Sequence, residues 1–299
     1  MAVLYSKLRL EVPSALDGQN ATITSAGGAT RTVQMSSPIT DVMLAGMEKY
    51  RVQACITDKE VSFGYGQIKK IETEWFDTLE NESWASISDV IKDGKFAQVA
   101  SIGDTKTFKI NNKTYTAEVV AINDGTGSAA QWYPANTVDF ICKELYETTY
   151  RYNSDNNSGG FPSSEIKATL NNTIYPLLPS DLKNVIIDKS HSYQSGSYSS
   201  SAWNSSMITL ATKLWLPTRY EISGSTQTYA PGETSSNNKA YTLASKIKNL
   251  NGASSATNWW LGSPYSGRSV AFWLVGTDGG LYDYAASGAH GVPVCFRIG

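Results

Sequence analysis

The spacing of apolar residues divides the chain near residue 73. Over residues 4–71 apolar side chains recur at every second position, as at Leu8 and Leu10, and Gly or polar clusters separate the runs. A period of two is typical of half-buried strands. The pattern predicts a small β-sandwich over residues 1–73, followed by a second domain over residues 74–299.

The second domain begins with a helical pattern. Trp84, Ile87 and Ile91 fall on one face of a helix, Ser83 precedes it as a candidate N-cap, and Gly94 stands where a left-handed residue ends a helix. Strand patterns follow, so the fold class is α+β.

Turn and capping residues mark the remaining elements of this domain. The sequence predicts a hairpin turning at Asn111-Asn112, a strand over 137–146, helices starting near Ser164 and Ser180, strands over 184–189 and 210–216, a loop over 190–206 and a helix over 240–250.

Composition narrows the function classes. Lys and Arg number 25 against 27 Asp and Glu, and charged residues make up 17% of the 299, so no basic surface for nucleic acid is expected. Eight Trp, 17 Tyr and 8 Phe are many for so weakly charged a chain and favour recognition. The start has no signal-peptide pattern and no apolar run reaches about 18 residues, so we expect synthesis in a cytoplasm and no membrane insertion.

The sequence offers little candidate catalytic chemistry. Cys55, Cys142 and Cys295 are too far apart for a metal or redox motif and are interpreted as core residues. His191 and His290 are the only histidines, and both are interpreted as solvated loop residues. Phosphate-binding, zinc-protease and nucleophile-elbow motifs are absent from the sequence. We therefore expect no catalysis, no metal and no cofactor.

Residues 258–299 read NWWLGSPYSGRSVAFWLVGTDGGLYDYAASGAHGVPVCFRIG, and upstream come SWASISDVIKDGKF, SIGDTKTFKINNKTYTAEVVAIND, FPSSEIKATLNNTIYPLLPSDL and KLWLPTRYEI, in that order. Together these segments, over roughly residues 74–299, resemble the C-type-lectin-fold variable proteins of diversity-generating retroelements. The resemblance implies a C-type-lectin-like fold, shared with formylglycine-generating enzymes, with a variable region at about 258–299. Residues 1–73 resemble, less specifically, immunoglobulin-like modules of phage tail proteins.

In that family, adenines of a template are copied with errors, so AAC codons change while a frame of residues stays fixed. Here the frame implied by the resemblance includes Trp259, Trp260 and Phe296. Trp is unreachable from AAC, so Trp273 either belongs to the frame or marks an error in the assigned register of variable positions. Residues 261–299 contain no Asn, Lys, Gln, Glu or Met. An accidental composition of a C-terminal hairpin is the alternative. The residues expected to vary and to bind ligand are Gly267, Arg268, Ala271, Leu274, Gly276, Asp278, Gly280, Tyr282, Asp283, Tyr284, Ala285, Gly288 and His290.

Two tyrosines are the centre of the expected binding surface. Tyr282 and Tyr284 share a face of any strand through them, while Asp283 points to the other face. Tyr among small polar residues is typical of antibody paratopes. We expect the variable residues to form one exposed patch, although core packing is the alternative for these rings.

The resemblance implies a retroelement-diversified ligand-binding protein, a phage tail receptor-binding protein that recognises a protein or glycan on a host or neighbouring cell. Phage tail components are the expected partners of residues 1–73, and the expected location is the virion or, alternatively, the bacterial cell surface. Monomer and homotrimer stay open. A formylglycine-generating enzyme needs paired cysteines near its C-terminus, where only Cys295 stands. A structural or carbohydrate-binding domain without diversification is the remaining alternative.

Overall fold

A computed structural model describes residues 5–12, 14, 17–25, 30–37, 39–45, 50–56, 59–61, 69–76, 78–196 and 206–299. The chain forms two compact units, Met1–Thr78 and Leu79–Gly299. The predicted boundary at residue 73 falls within a strand, Lys69–Phe76, that pairs with Tyr5–Glu11. The first unit therefore extends beyond the sequence-based boundary.

The described part of the first unit contains seven strands in two antiparallel sheets. The sheet orders are β4-β1-β7 and β3-β2-β5-β6. The strands are β1 Tyr5–Glu11, β2 Asn20–Ser25, β3 Thr30–Gln34, β4 Ile39–Ala45, β5 Tyr50–Ile56, β6 Lys59–Val61 and β7 Lys69–Phe76.

The second unit combines short helices with more strands. Its strands are β8 Thr105–Ile110, β9 Lys113–Asn123, β10 Thr137–Leu145, β11 Tyr150–Arg151, β12 Ile186–Ile187, β13 Lys189–Gln194, β14 Met207–Thr212, β15 Leu214–Trp215, β16 Trp259–Pro264, β17 Ala271–Val275, β18 Leu281–Ala285, β19 Ala289–His290 and β20 Pro293–Ile298. Its helices are α1 Trp84–Lys92, α2 Phe96–Val99, α3 Glu165–Ala168, α4 Ser180–Val185 and α5 Arg219–Ser223, and a π-helical segment, Thr169–Ile174, follows α3. Two 3₁₀ turns are Phe161–Ser163 and Tyr175–Leu177. The α+β class is confirmed.

A six-stranded sheet forms the centre of the second unit. Its order is β12-β20-β10-β9-β8, with β15 also on β20. Phe140 of β10 stacks on Phe296 of β20 at 5.2 Å between ring centroids, and Trp84 of α1 meets both rings edge-on. The predicted apolar face of α1 is therefore the surface that packs on this sheet, as amphipathic helices do.

Local signals placed several elements correctly. The Ser83 side chain accepts a hydrogen bond from Ser86 N and caps α1, as predicted. Asn111 and Asn112 have positive φ in the β8–β9 turn, which confirms the hairpin. Ser164 caps α3 through Lys167 N.

Three predicted elements differ from the structure. Residues 240–250 are not a helix, because their backbone groups bond to neighbouring segments, with Tyr241 N donating to Glu221 O at 2.7 Å. The predicted loop over 190–206 instead contributes most of β13, which pairs with β14; residues 197–205 lie outside the described residues. The predicted strand over 184–189 is reduced to β12, because α4 continues to Val185.

Candidate ligand-binding edge of the C-terminal sheet

The variable region predicted from the sequence folds around a three-stranded antiparallel sheet of order β16-β17-β18. Every residue of β16 and β17 is buried. The burial of β18 alternates instead, with its even-numbered residues the more exposed. The buried apolar strand β17 therefore supports β18, an edge strand with one more exposed face.

One face of β18 presents two tyrosines. Tyr282 and Tyr284 are 50% and 48% exposed. They lie opposite Leu274 and Phe272 of β17, which are buried. Phe272 stacks on the buried Tyr152 with 3.5 Å between centroids. The exposed rings thus stand beside a close-packed aromatic layer.

A hydrogen bond orients the ring of Tyr282, and an edge-on ring contact orients that of Tyr284. Tyr282 Oη donates to Asp278 Oδ2 at 2.7 Å, and this hydrogen bond raises the pKa of Tyr282 and lowers that of Asp278. Tyr284 meets His290 edge-on at 4.5 Å, and His290 meets the buried Trp260 in the same way at 4.7 Å. Burial lowers the pKa of His290, so its ring is neutral at pH 7.

Glycines make room for both rings. A Cβ on Gly276 or Gly280 would lie 2.7 or 2.9 Å from Tyr282 Cε2, and a Cβ on Gly288 would lie 2.8 Å from a ring carbon of Tyr284. Any larger residue at these positions requires the neighbouring tyrosine to move. The glycines and tyrosines are therefore coupled positions of one surface.

The opposite face of β18 carries a different set of groups. Asp283 forms an ion pair with Arg268. Tyr265 meets Trp273 edge-on at 5.1 Å and stacks on Tyr229 at 4.7 Å. Tyr229 lies outside the region that the sequence predicts to vary, and only the fold places it beside Tyr265.

The expected variable residues do not form one exposed patch. Ala271, Leu274 and Gly276 are buried, so the expectation of exposure is wrong for them. Ala271 and Leu274 are buried because β17 is the central strand and pairs with a neighbour on each side. Gly276 follows β17 directly and lies against the ring of Tyr282. The other ten expected variable residues reach the surface. Four of them are exposed, namely Arg268, Asp278, Tyr282 and Tyr284, and six are partly exposed, namely Gly267, Gly280, Asp283, Ala285, Gly288 and His290.

The expected frame residues lie in the core. Trp259, Trp260 and Phe296 are fully buried and Trp273 is 6% exposed, as predicted. Cys142 and Cys295 are buried free thiols, which confirms their interpretation as core residues. The side chain of Cys55 lies outside the described residues.

Both histidine interpretations are wrong. His191 is fully buried on β13, with Nε2 3.1 Å from Asn238 Oδ1, and burial lowers its pKa to about 4. His290 belongs to β19 and is only partly exposed. Ser and Tyr density around His191 indicates a loop locally, but β13 is stabilised by pairing with β14.

Sequence reasoning missed a buried charge network. Asp139 of β10 accepts hydrogen bonds from Arg297 Nε at 2.5 Å and Nη2 at 2.8 Å. Lys189 forms an ion pair with Glu221, and Tyr241 Oη donates to Asp139 at 2.7 Å. Burial by itself raises the pKa of Asp139, but Arg297 and Lys189 outweigh it and lower that pKa to about 2. A charge inside an apolar run, as in VDFIC and CFRIG, is the signal that could have found this pair.

Another buried carboxyl lies behind the C-terminal sheet. Glu233 accepts hydrogen bonds from Ser263 Oγ and, at 3.2 Å, from Tyr220 N. Burial raises its pKa to about 7. Arg219, whose guanidinium lies 5.0 Å from the Trp273 ring centroid, partly offsets this rise.

The described residues contain no group of three or more His, Cys, Asp or Glu side chains placed to hold a metal ion. None of the helices in the described ranges has the length and apolar character needed to cross a bilayer.

Comparison with known families matches the greater part of this unit. The profile described as "Domain of unknown function (DUF6273)" matches residues 136–299, which run from the start of β10 to the C-terminus and include the candidate site. The chain belongs to this family. Comparisons with curated proteins and with solved structures gave no match.

Proposed function

We propose that this chain is a ligand-binding protein without catalytic activity, and that it recognises its ligand through the outer strand β18 and the turns beside it. One observation carries the proposal: Tyr282 and Tyr284 hold about half of their surface in solvent while the strand next to them is wholly buried. Rigid tyrosines supply large contact area at low entropic cost.

The surroundings of the tyrosines support recognition over simple packing. Asp278 bonds Tyr282 beside the tyrosine face, and the glycines leave space for both rings. Arg268 and Asp283 add charged groups on the opposite face of the same strand. Specific interfaces combine aromatic side chains near their centre with polar groups at their rim.

We further propose that the surface is diversified by a retroelement. Ala271, Leu274 and Gly276 are buried. We therefore move them to the proposed fixed frame, because polar substitutions there would break the core. The ten remaining expected positions are the proposed variable set. A C-type-lectin-like fold for residues 74–299 and an immunoglobulin-like fold for the first unit belong to the same proposal.

The gene tests diversification directly. Codons that arose from AAC or AAT by adenine changes end in C or T, so Arg268 is expected to be CGC or CGT. A near-repeat with AAC at the variable positions, beside a reverse-transcriptase gene, is the expected flank. Purines at several third positions of the ten codons contradict the proposal.

In its biological setting, the chain is proposed to act on a phage tail, with the first unit docking to other tail components and the second contacting a protein or glycan on a host cell. A homotrimer is one assembly consistent with that role. Display on a bacterial surface is the alternative location.

Binding tests the recognition surface. Fluorescently labelled protein is applied to a panel of bacterial strains, and the Tyr282→Ala/Tyr284→Ala variant is expected to lose binding while its unfolding midpoint stays near the wild-type value. Ile102→Ala/Leu177→Ala, which removes two other exposed apolar side chains, is the matched control and should bind normally. Retained binding by the tyrosine variant would place recognition elsewhere.

A further inference from the structure

The outer edge of β18 has no strand partner among the described residues. β18 ends the order β16-β17-β18. Two hydrogen bonds fix its register at both ends: Ala286 N donates to Val270 O at 2.7 Å, and Gly276 N donates to Gly280 O at 2.8 Å. Because hydrogen-bonded and non-hydrogen-bonded pairs alternate in antiparallel sheets, the even-numbered residues of β18 bond to β17.

The odd-numbered residues therefore point their backbone groups away from the sheet. Leu281, Asp283 and Ala285 are these residues, spaced by roughly 7 Å from one to the next. Within the described ranges, the Ala285 carbonyl accepts a hydrogen bond from Gly288 N at 2.9 Å, and the other outward N–H and C=O groups have no hydrogen-bond partner. The edge thus presents donors and acceptors at the repeat of an extended chain.

The side chains of β18 leave this edge open. The strand LYDYA contains no Lys or Pro, the residues that commonly protect edge strands from pairing. Its one charge, Asp283, is neutralised by Arg268. Tyr282 and Tyr284 border the edge on one face, and Tyr265 with its stacked neighbour lies toward the other.

We propose that this edge binds an extended segment of a partner protein, which joins the sheet as a fourth strand beside β18. The proposal rests on the proposed ligand-binding function and names the class of ligand. The partner's backbone pairs with Leu281 and Asp283, and its alternate side chains contact the tyrosine face and the Arg268–Asp283 face in turn. Complementarity of backbone partial charges favours a polypeptide, because a glycan offers no N–H and C=O groups at this repeat.

A proline substitution tests the backbone role. Asp283→Pro removes an N–H that points away from β17, which is the setting in which an edge strand tolerates proline. Asp283→Ala keeps the N–H and removes only the carboxylate, so it is the matched control. The probe is a displayed library of random linear 12-residue peptides, selected on the wild-type protein. Selected peptides are expected to lose at least tenfold more affinity for Asp283→Pro than for Asp283→Ala, whose own loss measures the contribution of the carboxylate.

Amide hydrogen exchange provides a second readout that needs no variant. A selected peptide is expected to slow exchange at Leu281 and Asp283, whose backbone N–H groups have no acceptor within the described ranges. Equal binding to Asp283→Pro and Asp283→Ala, or unchanged exchange at both amides, overturns the proposal. So does a library that yields no binder.

The outcome separates this inference from the proposed function. If Tyr282→Ala/Tyr284→Ala abolishes binding to cells while no strand-pairing peptide is found, the recognition surface stands and the partner class is wrong. If neither the tyrosine variant nor Asp283→Pro affects any binding, both proposals fail.

Discussion

Removing the guanidinium of Arg297 should expose the cost of burying Asp139. In the wild-type protein the two groups make paired hydrogen bonds, and the pKa of Asp139 falls from 3.8 to about 2. Such a shift contributes about 2 kcal/mol to the free energy of unfolding. Arg297→Met leaves a buried carboxylate with only Lys189, at 3.9 Å, and Tyr241 as partners. Breaking one side of a buried pair costs about 3–5 kcal/mol.

The pH dependence gives this prediction its sign. Because the folded pKa of Asp139 is depressed, its contribution is present above about pH 4 and is lost as the pH falls toward 2. In Arg297→Met the same carboxyl is expected to have a raised pKa, so protonation relieves its unpaired charge. The stability difference between wild type and variant should therefore narrow as the pH falls from 7 to 3.

Guanidinium unfolding followed by tryptophan fluorescence measures this difference, because seven of the eight tryptophans lie after residue 79. Arg151→Met is the matched control. Its ion pair with Glu165 is solvent-exposed, and its loss should cost less than about 1 kcal/mol at any pH. A cost for Arg297→Met below 1 kcal/mol, or one that does not change with pH, refutes the reasoning.

Three further predictions follow from burial. Trp260→Ala should cost about 3–5 kcal/mol and Tyr282→Ala only about 0.5–1 kcal/mol, and equal shifts in the denaturant midpoint would contradict the assigned frame. The folded pKa of Glu233 is raised from 4.5 to about 7. As the pH falls through that range, the free energy of unfolding of the wild-type protein should therefore rise by up to about 3 kcal/mol. Urea titrations of Glu233→Gln should show no such rise. A chain starting at Leu79 should fold with a sharp thermal transition, since the second unit has its own core; an insoluble product would show that it does not.

The sequence alone determined the elements whose signals are local. The Ser83 cap, the Asn111-Asn112 turn and the shared face of Tyr282 and Tyr284 depend on residues a few positions apart, and each appears where it is predicted. The exposure of Tyr282 and Tyr284 is expected from their small polar neighbours, a composition typical of antibody paratopes.

Tertiary structure decided which strand has neighbours on both sides. The sequence predicts both Leu274 and Tyr282 as surface residues. In the structure Leu274 of the central strand lies opposite Tyr282 of the outer strand, and only Tyr282 is exposed. His191 is buried because β14 pairs with its strand, and Asp139 meets Arg297 across 158 positions of sequence. Local periodicity indicates whether a strand has an apolar face. Which strands lie beside it depends on contacts between segments that are distant in the sequence. Those contacts decide which side chains are buried, which charges pair and why the outer edge of β18 is open.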